Sequence, residues 1–223
     1  MKTSDELDKI KAAVLYILSK CNGAQDFVSL VKKMYFAQQR YLVLYGRPIF
    51  NDMSYSRERG PVPSFTYKAL FVGANQTEVS PEINKFNASF SVSPLKGDKL
   101  ISSKELPDMD ELAVAEVEVI DAILRETNGM TAEQLSAKSH KDKAWIKAKE
   151  RMKDDPTDGR TSLVSIARAE GHNLPYSIIS VIRLTLIIGA KHEKLLGGTI
   201  REQTWHHPKD YSKRKDNFLP AYA

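Results

Sequence analysis

The chain has 223 residues, of which 42% are apolar and 27% are charged, with a formal net charge of +5 and a single cysteine, Cys21. This length and composition suffice for a buried core, whereas one cysteine excludes an internal disulfide framework and a cysteine-built zinc site. The most apolar stretch, residues 175–190, contains Arg183 and is too short to span a bilayer, and the first residues lack the apolar segment of a secretory signal. We therefore expect a soluble, cytoplasmic protein.

Two amphipathic helices are predicted at the start of the chain. Apolar residues recur at helical spacing after Ser4, and the pattern ends near Asn22-Gly23. A second, longer helix is predicted after Asp26, which is a suitable N-cap, and it ends at Gly46.

A rigid corner follows these helices. The stretch MSYSRE (53–58) is compatible with a short edge strand, and it leads into the sequence Gly-Pro-Val-Pro. Pro61 and Pro63 fix their own φ angles and keep the preceding residues out of the helical region. Ser64 is then expected to cap a helix that extends to about residue 75, with Tyr67 in the core.

The middle of the chain carries a strand-like pattern. The stretch FNASFSVS alternates apolar and polar residues, PLKGD is typical of a turn, and KLISSKEL would return antiparallel. These features predict a short β-hairpin near residues 86–103, although a mobile insertion would have a similar composition.

Three more helices are predicted after this hairpin. One starts at Asp110, and a short one starts at Thr131, which forms a capping-box pattern with Gln134. The third is expected from about residue 141 to 152 and carries Trp145, which we expect to be a core residue.

The remainder of the chain is predicted to form a separate extension. KDDPTDGR (153–160) has the composition of a linker, an apolar helix is expected from near Pro175, and a polar tail with scattered aromatic residues follows. The sequence therefore predicts a mainly α fold with minor β structure. It consists of one compact multi-helix domain (1–155) and a helical C-terminal extension (156–223) with a basic, aromatic tail.

No stretch specifies catalysis. Glycine-rich phosphate loops, nucleophile elbows and zinc-protease helices are missing from the sequence. His206-His207 with His192 make a weak metal pattern, and His140 has no nucleophile beside it in sequence. We expect no enzyme activity, no metal and no cofactor.

Charge is distributed unevenly along the chain. Residues 105–126 are strongly acidic, whereas residues 138–153 carry seven bases, including Lys138, Lys147 and Arg151. A basic helix of this kind could follow the phosphates of DNA, although solvated helix surfaces have the same composition.

Three stretches together resemble the Panacea domain, also called the SocA-like antitoxin domain. They are KKMYFAQQRYLVLYGRPIF (32–50), GPVPSFTYKAL (60–70) and AEVEVIDAILRETNGMTAEQLSAKSHKDKAWIKA (115–148), in the order and spacing of that family. The resemblance covers roughly residues 1–155. One departure is that Arg57 and Arg59 stand ahead of the Gly-Pro-Val corner, where the family usually has aromatic residues.

The resemblance implies an antitoxin of a bacterial or phage toxin–antitoxin pair that neutralises its toxin by direct protein contact. A DNA-binding autoregulator and an adaptor that delivers the toxin to a protease are the alternatives. We expect partner contacts at two places, the corner and the tail, through the residues Arg57, Arg59, Trp205, Tyr211, Arg214 and Phe218. For the two corner arginines, ion pairs with nearby acids such as those of residues 105–126 are an alternative.

Overall fold

The computed structural model describes residues 4–72, 80–170, 179–182 and 184. The mainly α fold with minor β structure is confirmed. Its helices are α1 (Ser4–Lys20), α2 (Phe27–Tyr45), α3 (Ser64–Tyr67), α4 (Pro81–Ala88), α5 (Val114–Glu126), α6 (Ala132–His140), α7 (Lys143–Asp154) and α8 (Leu163–Glu170). Its strands are β1 (Ala24–Asp26), β2 (Ser54–Arg57), β3 (Gly60–Pro63), β4 (Phe90–Leu95), β5 (Asp98–Ser103) and β6 (Arg160–Thr161).

Helix α2 is the centre of the core. Its side chains are buried on nearly every side, from Phe27 to Leu42, because α1, α5, α6 and α8 all pack against it. A helix that is apolar around most of its circumference is stable only when other elements cover it, and α2 fits this rule. Asp26 accepts a hydrogen bond from the Ser29 backbone at the helix start, and Gly46 ends the helix at φ +67°.

The predicted β-hairpin near residues 86–103 is confirmed. β4 and β5 pair antiparallel from Phe90↔Ser103 to Leu95↔Asp98, and the turn between them includes Gly97. β1, which the sequence pattern did not reveal, pairs with the other edge of β5. The order of this sheet is β1-β5-β4.

The predicted corner is itself a second hairpin. β2 and β3 pair antiparallel from Ser54↔Pro63 to Arg57↔Gly60, so Glu58 and Arg59 form its two-residue turn. β6 pairs with the opposite side of β2, which gives the order β3-β2-β6. The prediction of β2 as an edge strand is therefore wrong, because the two-residue β6 covers its second side.

Two helix boundaries also differ from the sequence prediction. The helix predicted from residue 64 to 75 is a short α3 that continues as a π-helical turn over Lys68–Val72, and residues 73–79 lie outside the described ranges. The helix predicted from Asp110 begins at Val114, because residues 109–111 form a 3₁₀ turn that Asp108 caps. The capping box at Thr131 is confirmed.

The described part of the predicted C-terminal extension packs on the preceding domain. β6 completes the β2 sheet, and Ile166 and Ala167 of α8 are buried in the same core as α2. Ile182 is also fully buried in that core. The division into residues 1–155 and 156–223 remains a prediction. No helix in the described ranges combines the length and apolarity that a membrane crossing requires.

Candidate functional site

The most exposed charged feature at the predicted corner is the tip of the β2–β3 hairpin. Arg57, Glu58 and Arg59 are all exposed, while β3 directly beneath them is buried at all four positions. A two-residue turn on a buried strand fixes the backbone of the tip. The corner therefore presents two arginines on a rigid support, as the sequence predicted.

The side chain and the backbone of Arg57 are both held in place. Its guanidinium lies over the Tyr67 ring at 4.6 Å and over the Tyr55 ring at 5.5 Å from the ring centroids. The indole N–H of Trp145 donates a hydrogen bond of 3.1 Å to the Arg57 carbonyl oxygen. In the described part of the chain, no carboxylate forms an ion pair with Arg57.

Arg59 has two loose ionic contacts. Its guanidinium lies 3.8 Å from Asp98 at the start of β5 and 3.6 Å from Glu133 in α6, and its side chain remains 44% exposed. The pair with Glu133 is exposed on both sides and contributes little stability, whereas the Asp98 side chain is largely buried. The alternative interpretation, ion pairs with nearby acids, is therefore observed for Arg59, although its partners Asp98 and Glu133 lie outside residues 105–126. Among the described residues it is not observed for Arg57.

The hairpin tip lies directly on a buried lysine. The Nζ atom of Lys32 in α2 donates a hydrogen bond of 2.7 Å to the Pro61 carbonyl oxygen, and the side chain is fully buried. Gly60 has φ +100°, and a Cβ atom there would collide with Ser139 Oγ and lie 2.6 Å from Lys32 Nζ. Only glycine combines this backbone angle with such a close approach.

Burial changes the protonation of Lys32. Desolvation, with a smaller contribution from the positive charge of Arg59, lowers the pKa of the Lys32 amine from 10.5 to about 7. The amine is therefore largely neutral above pH 7, and its hydrogen bond to Pro61 does not require a charge.

The side chains of Trp145 and His140 pack against each other beside the hairpin tip. Their rings stack at 4.2 Å with an interplanar angle of 11°. Burial, followed by the charge of Lys32, lowers the pKa of His140. The prediction that Trp145 is a core residue is wrong, because the residue is only half-buried and its indole N–H contacts the hairpin. Tyr67 is likewise half-buried, packed against the edge of the core.

A buried polar network supports this surface from below. The Asp142 carboxylate caps α7 and also accepts hydrogen bonds from Tyr35 Oη at 2.6 Å and Gln39 Nε2 at 2.7 Å. Gln39 also donates to the Ile166 carbonyl oxygen, so the network joins α2, α7 and α8. Each of these buried polar groups is therefore paired, as stability requires.

Two further polar residues hold the chain between α2 and α3. Gln38 accepts a hydrogen bond from the Ile49 backbone and donates one to the Phe50 carbonyl oxygen. Asp52 accepts hydrogen bonds from the backbone of Phe65 and Thr66 at the start of α3. These bonds fix the segment that leads into the hairpin.

Sequence reasoning missed the buried hydrogen bond of Lys32 to the hairpin and the separate network of Gln39 and Asp142. A usable signal existed, because Lys32 and Gln39 lie at helical spacing with Val28 and Tyr35 on the buried side of α2. Polar residues on an apolar helix face indicate buried hydrogen bonds.

The described residues contain no cluster of three histidine, cysteine or carboxylate side chains that could hold a metal ion. The four predicted tail contacts, Trp205, Tyr211, Arg214 and Phe218, lie outside the described ranges, as do His192, His206 and His207. Of the six predicted contact residues, Arg57 and Arg59 thus lie together at the hairpin tip. The four tail contacts remain predictions.

The model of one protein family, described as antitoxin SocA-like, Panacea domain, matches residues 30–146. This range is just over half of the chain. The chain belongs to this family. No curated protein and no solved structure matches it significantly.

The Panacea match contains both the exposed arginines and their support. Lys32, Gln39 and Asp142 lie inside residues 30–146, together with the β2–β3 hairpin. The matched range therefore includes the residues that form the buried hydrogen bonds beneath the hairpin. β6 and α8, by contrast, follow the matched range.

Proposed function

We propose that this protein is a cytoplasmic antitoxin that neutralises a cognate toxin by direct protein contact, without catalysis and without a cofactor. Membership of the SocA-like antitoxin family supports the general role. One structural observation supports direct contact through the hairpin. The exposed Arg57 guanidinium is held by two tyrosine rings and is without a carboxylate partner in the described ranges.

An arginine held in this way is suited to an interface. Arginine and aromatic residues dominate the energetics of protein interfaces, and a side chain that is already ordered loses little entropy on binding. Arg59 extends the same tip, and its exposed pair with Glu133 can exchange for partner contacts at small cost.

The tail is proposed to add a second contact. Trp205, Tyr211, Arg214 and Phe218 combine aromatic and basic side chains in a segment that follows the matched family range. Because this segment is not part of the match, we propose that it contributes to the choice of toxin.

The toxin candidate for the test is the protein encoded by the gene adjacent to that of the antitoxin. Its induction should stop bacterial growth, and co-expression of the full chain should restore growth and allow the two proteins to be copurified. Arg57→Gln should weaken copurification, whereas Arg125→Gln, at an exposed arginine in α5, should not. Failure of the wild-type chain to restore growth with any adjacent gene product would contradict the proposal.

Delivery to a protease predicts a different result from occlusion. An adaptor shortens the lifetime of the toxin, whereas an occluding antitoxin leaves the toxin level unchanged or higher. Measuring the toxin by immunoblot during rescue, in strains with and without the major cytoplasmic proteases, distinguishes the two.

A DNA-binding autoregulator is the second candidate. The observation in its favour is that α6 and α7 are joined by only Lys141 and Asp142, and that α7 exposes Lys147 and Lys153. Against it, Arg151 is engaged with Asp158 at 2.8 Å. Binding to the promoter of its own gene that falls steeply with salt would support this role, and no binding at low salt would exclude it.

A further inference from the structure

One face of the paired strands β2 and β6 carries arginine and tyrosine side chains that reach the surface, whereas the neighbouring strand β3 is buried at all four positions. Along β2, Ser54 and Ser56 are buried, whereas Tyr55 is half-buried and Arg57 is exposed. In β6, Arg160 is exposed and Thr161 is buried. This alternation places the side chains of Tyr55, Arg57 and Arg160 on the same outer side of the sheet, which we call the arginine face.

The strand register sets the spacing within this face. Tyr55 pairs directly with Arg160 across the β2–β6 ladder, and Arg57 follows Tyr55 two positions later. Arg57 and Arg160 are thus diagonal neighbours, and such residues lie about 7–8 Å apart in a sheet, with a somewhat shorter distance between their Cβ atoms. Tyr55 lies between them, with Arg57 over its ring.

The segment that carries Arg160 is fixed to the body. Arg151 donates hydrogen bonds to the Asp158 carboxylate at 2.8 Å and to the Arg160 carbonyl oxygen at 2.6 Å. The Tyr55 hydroxyl donates to the Thr157 carbonyl oxygen at 2.8 Å, and Gly159 lies so close to the Tyr55 ring that a Cβ atom there would be 2.5 Å from it. Residues 157–160, which resembled a linker in sequence, therefore hold Arg160 in a defined place.

The arginine face is not neutralised from within the described structure. Neither Arg57 nor Arg160 forms an ion pair there, and Asp158, the acid nearest to Arg160 in sequence, is paired with Arg151. Two exposed guanidinium groups beside a tyrosine ring create a local positive potential that an acidic surface would complement.

We infer that the arginine face, formed by Tyr55, Arg57 and Arg160, binds an acidic segment of the toxin, and that Arg160 contributes to the choice of partner. This inference rests on the proposed antitoxin function and names the chemistry of the partner. Arg57 lies inside the family match and Arg160 lies beyond it, so one binding face joins a residue of the Panacea domain to a residue that the family model does not cover.

The size of the face favours an acidic protein segment over nucleic acid. Affinity for duplex DNA arises from several phosphate contacts, typically six or more for strong binding. The arginine face offers two guanidinium groups, fewer than strong binding of duplex DNA requires. A short run of aspartate or glutamate matches this arrangement.

The test uses the full chain and a fluorescein-labelled peptide of ten glutamates, with fluorescence anisotropy as the readout at low ionic strength. Arg57→Gln and Arg160→Gln should each weaken binding about two- to fivefold, as expected for loss of one exposed charge pair. The charge reversal Arg160→Glu should weaken binding further. Arg125→Gln removes the same charge elsewhere and should have no effect, and circular dichroism verifies that every variant is folded.

Equal affinity of Arg160→Gln and Arg125→Gln for the peptide would overturn the inference. Tighter binding of a labelled DNA duplex, lost in Arg160→Gln, would also overturn it, because the face would then be a nucleic-acid site. Growth rescue against the adjacent-gene toxin reports separately on the proposed function. A wild-type chain that fails to rescue refutes the antitoxin role, whereas rescue with an unaffected Arg160→Gln in both assays refutes only this inference.

Discussion

The indole N–H of Trp145 donates a hydrogen bond to the carbonyl oxygen of Arg57 at 3.1 Å, which ties helix α7 to the tip of the β2–β3 hairpin. The two residues are 88 positions apart in sequence. Through this bond, helix α7, whose N-cap is the buried Asp142, positions Arg57, which we assign to the partner surface.

Trp145→Ala should destabilise the protein only modestly. The ring is half-buried, so its loss should lower the free energy of unfolding by about 1–2 kcal/mol, less than the 3–5 kcal/mol typical of a buried tryptophan. Leu135→Ala provides the comparison, because Leu135 is fully buried and its smaller side chain should cost about 3 kcal/mol. A larger loss for Trp145→Ala than for Leu135→Ala in urea unfolding would place Trp145 in the core.

Gly60→Ala should be far more costly than Gly129→Ala. The added Cβ would collide with Ser139 Oγ and Lys32 Nζ at a backbone φ of +100°, so we expect a loss of about 2–4 kcal/mol. Gly129 also has a positive φ, +73°, but nothing lies within 4 Å of its Cβ position, so Gly129→Ala should cost only about 1 kcal/mol. Similar thermal unfolding of both variants would show that Gly60 is not closely packed.

Lys32 should make stability depend on pH between 7 and 10.5. Burial lowers the pKa of the folded-state amine to about 7 from its ordinary 10.5, so in this window the unfolded chain binds a proton that the folded chain does not. Stability should therefore rise with pH by about 1.4 kcal/mol per unit, and below pH 7 the Lys32 contribution should be constant.

Lys32→Met isolates this effect. Urea unfolding at pH 7.5 and 9.5 should show wild-type stability rising by roughly 2–3 kcal/mol more than that of the variant. Protonation of His140 does not contribute between pH 7.5 and 9.5, because burial lowers the pKa of His140 below its ordinary 6.5. Parallel pH profiles for the two proteins would mean that Lys32 remains charged in the folded state.

Asp142→Ala should be more damaging than loss of another helix cap. Asp142 caps α7 and also accepts hydrogen bonds from the buried Tyr35 and Gln39, so its removal should cost about 3–5 kcal/mol. Asp26 caps α2 by accepting one hydrogen bond from the Ser29 backbone, and it accepts another from the side chain of Gln25. Asp26→Ala should therefore lower the free energy of unfolding by about 1 kcal/mol. Equal losses in urea unfolding would show that the network around Asp142 adds nothing to the cap.

The sequence predicted elements whose signals are local. The hairpin of β4 and β5 followed from strict alternation around a turn, and α6 followed from its Thr131 capping box. β1 and β6 were missed because three and two residues are too few to show a period. The position of β2 was wrong for the same reason, since its second neighbour is β6.

Long-range pairing explains the remaining differences at the site. A tryptophan at helical spacing is usually a core residue, and only the fold shows that Trp145 faces the hairpin 88 residues earlier in the chain. The arginine face likewise depends on the pairing of Tyr55 with Arg160, which no local pattern encodes. Arg57 and Arg59 were identified from composition, because charge beside a rigid proline corner is itself a local signal.

The central claim is that the chain neutralises a toxin by direct contact through Arg57, and calorimetric titration tests it most directly. The purified full chain is titrated with the purified adjacent-gene toxin, beside Arg57→Gln and Arg125→Gln. The account predicts stoichiometric binding by the wild type and Arg125→Gln, and an affinity at least tenfold weaker for Arg57→Gln, as expected for an arginine at the centre of an interface. Equal affinities for all three proteins, or no heat of binding for the wild type, would contradict it.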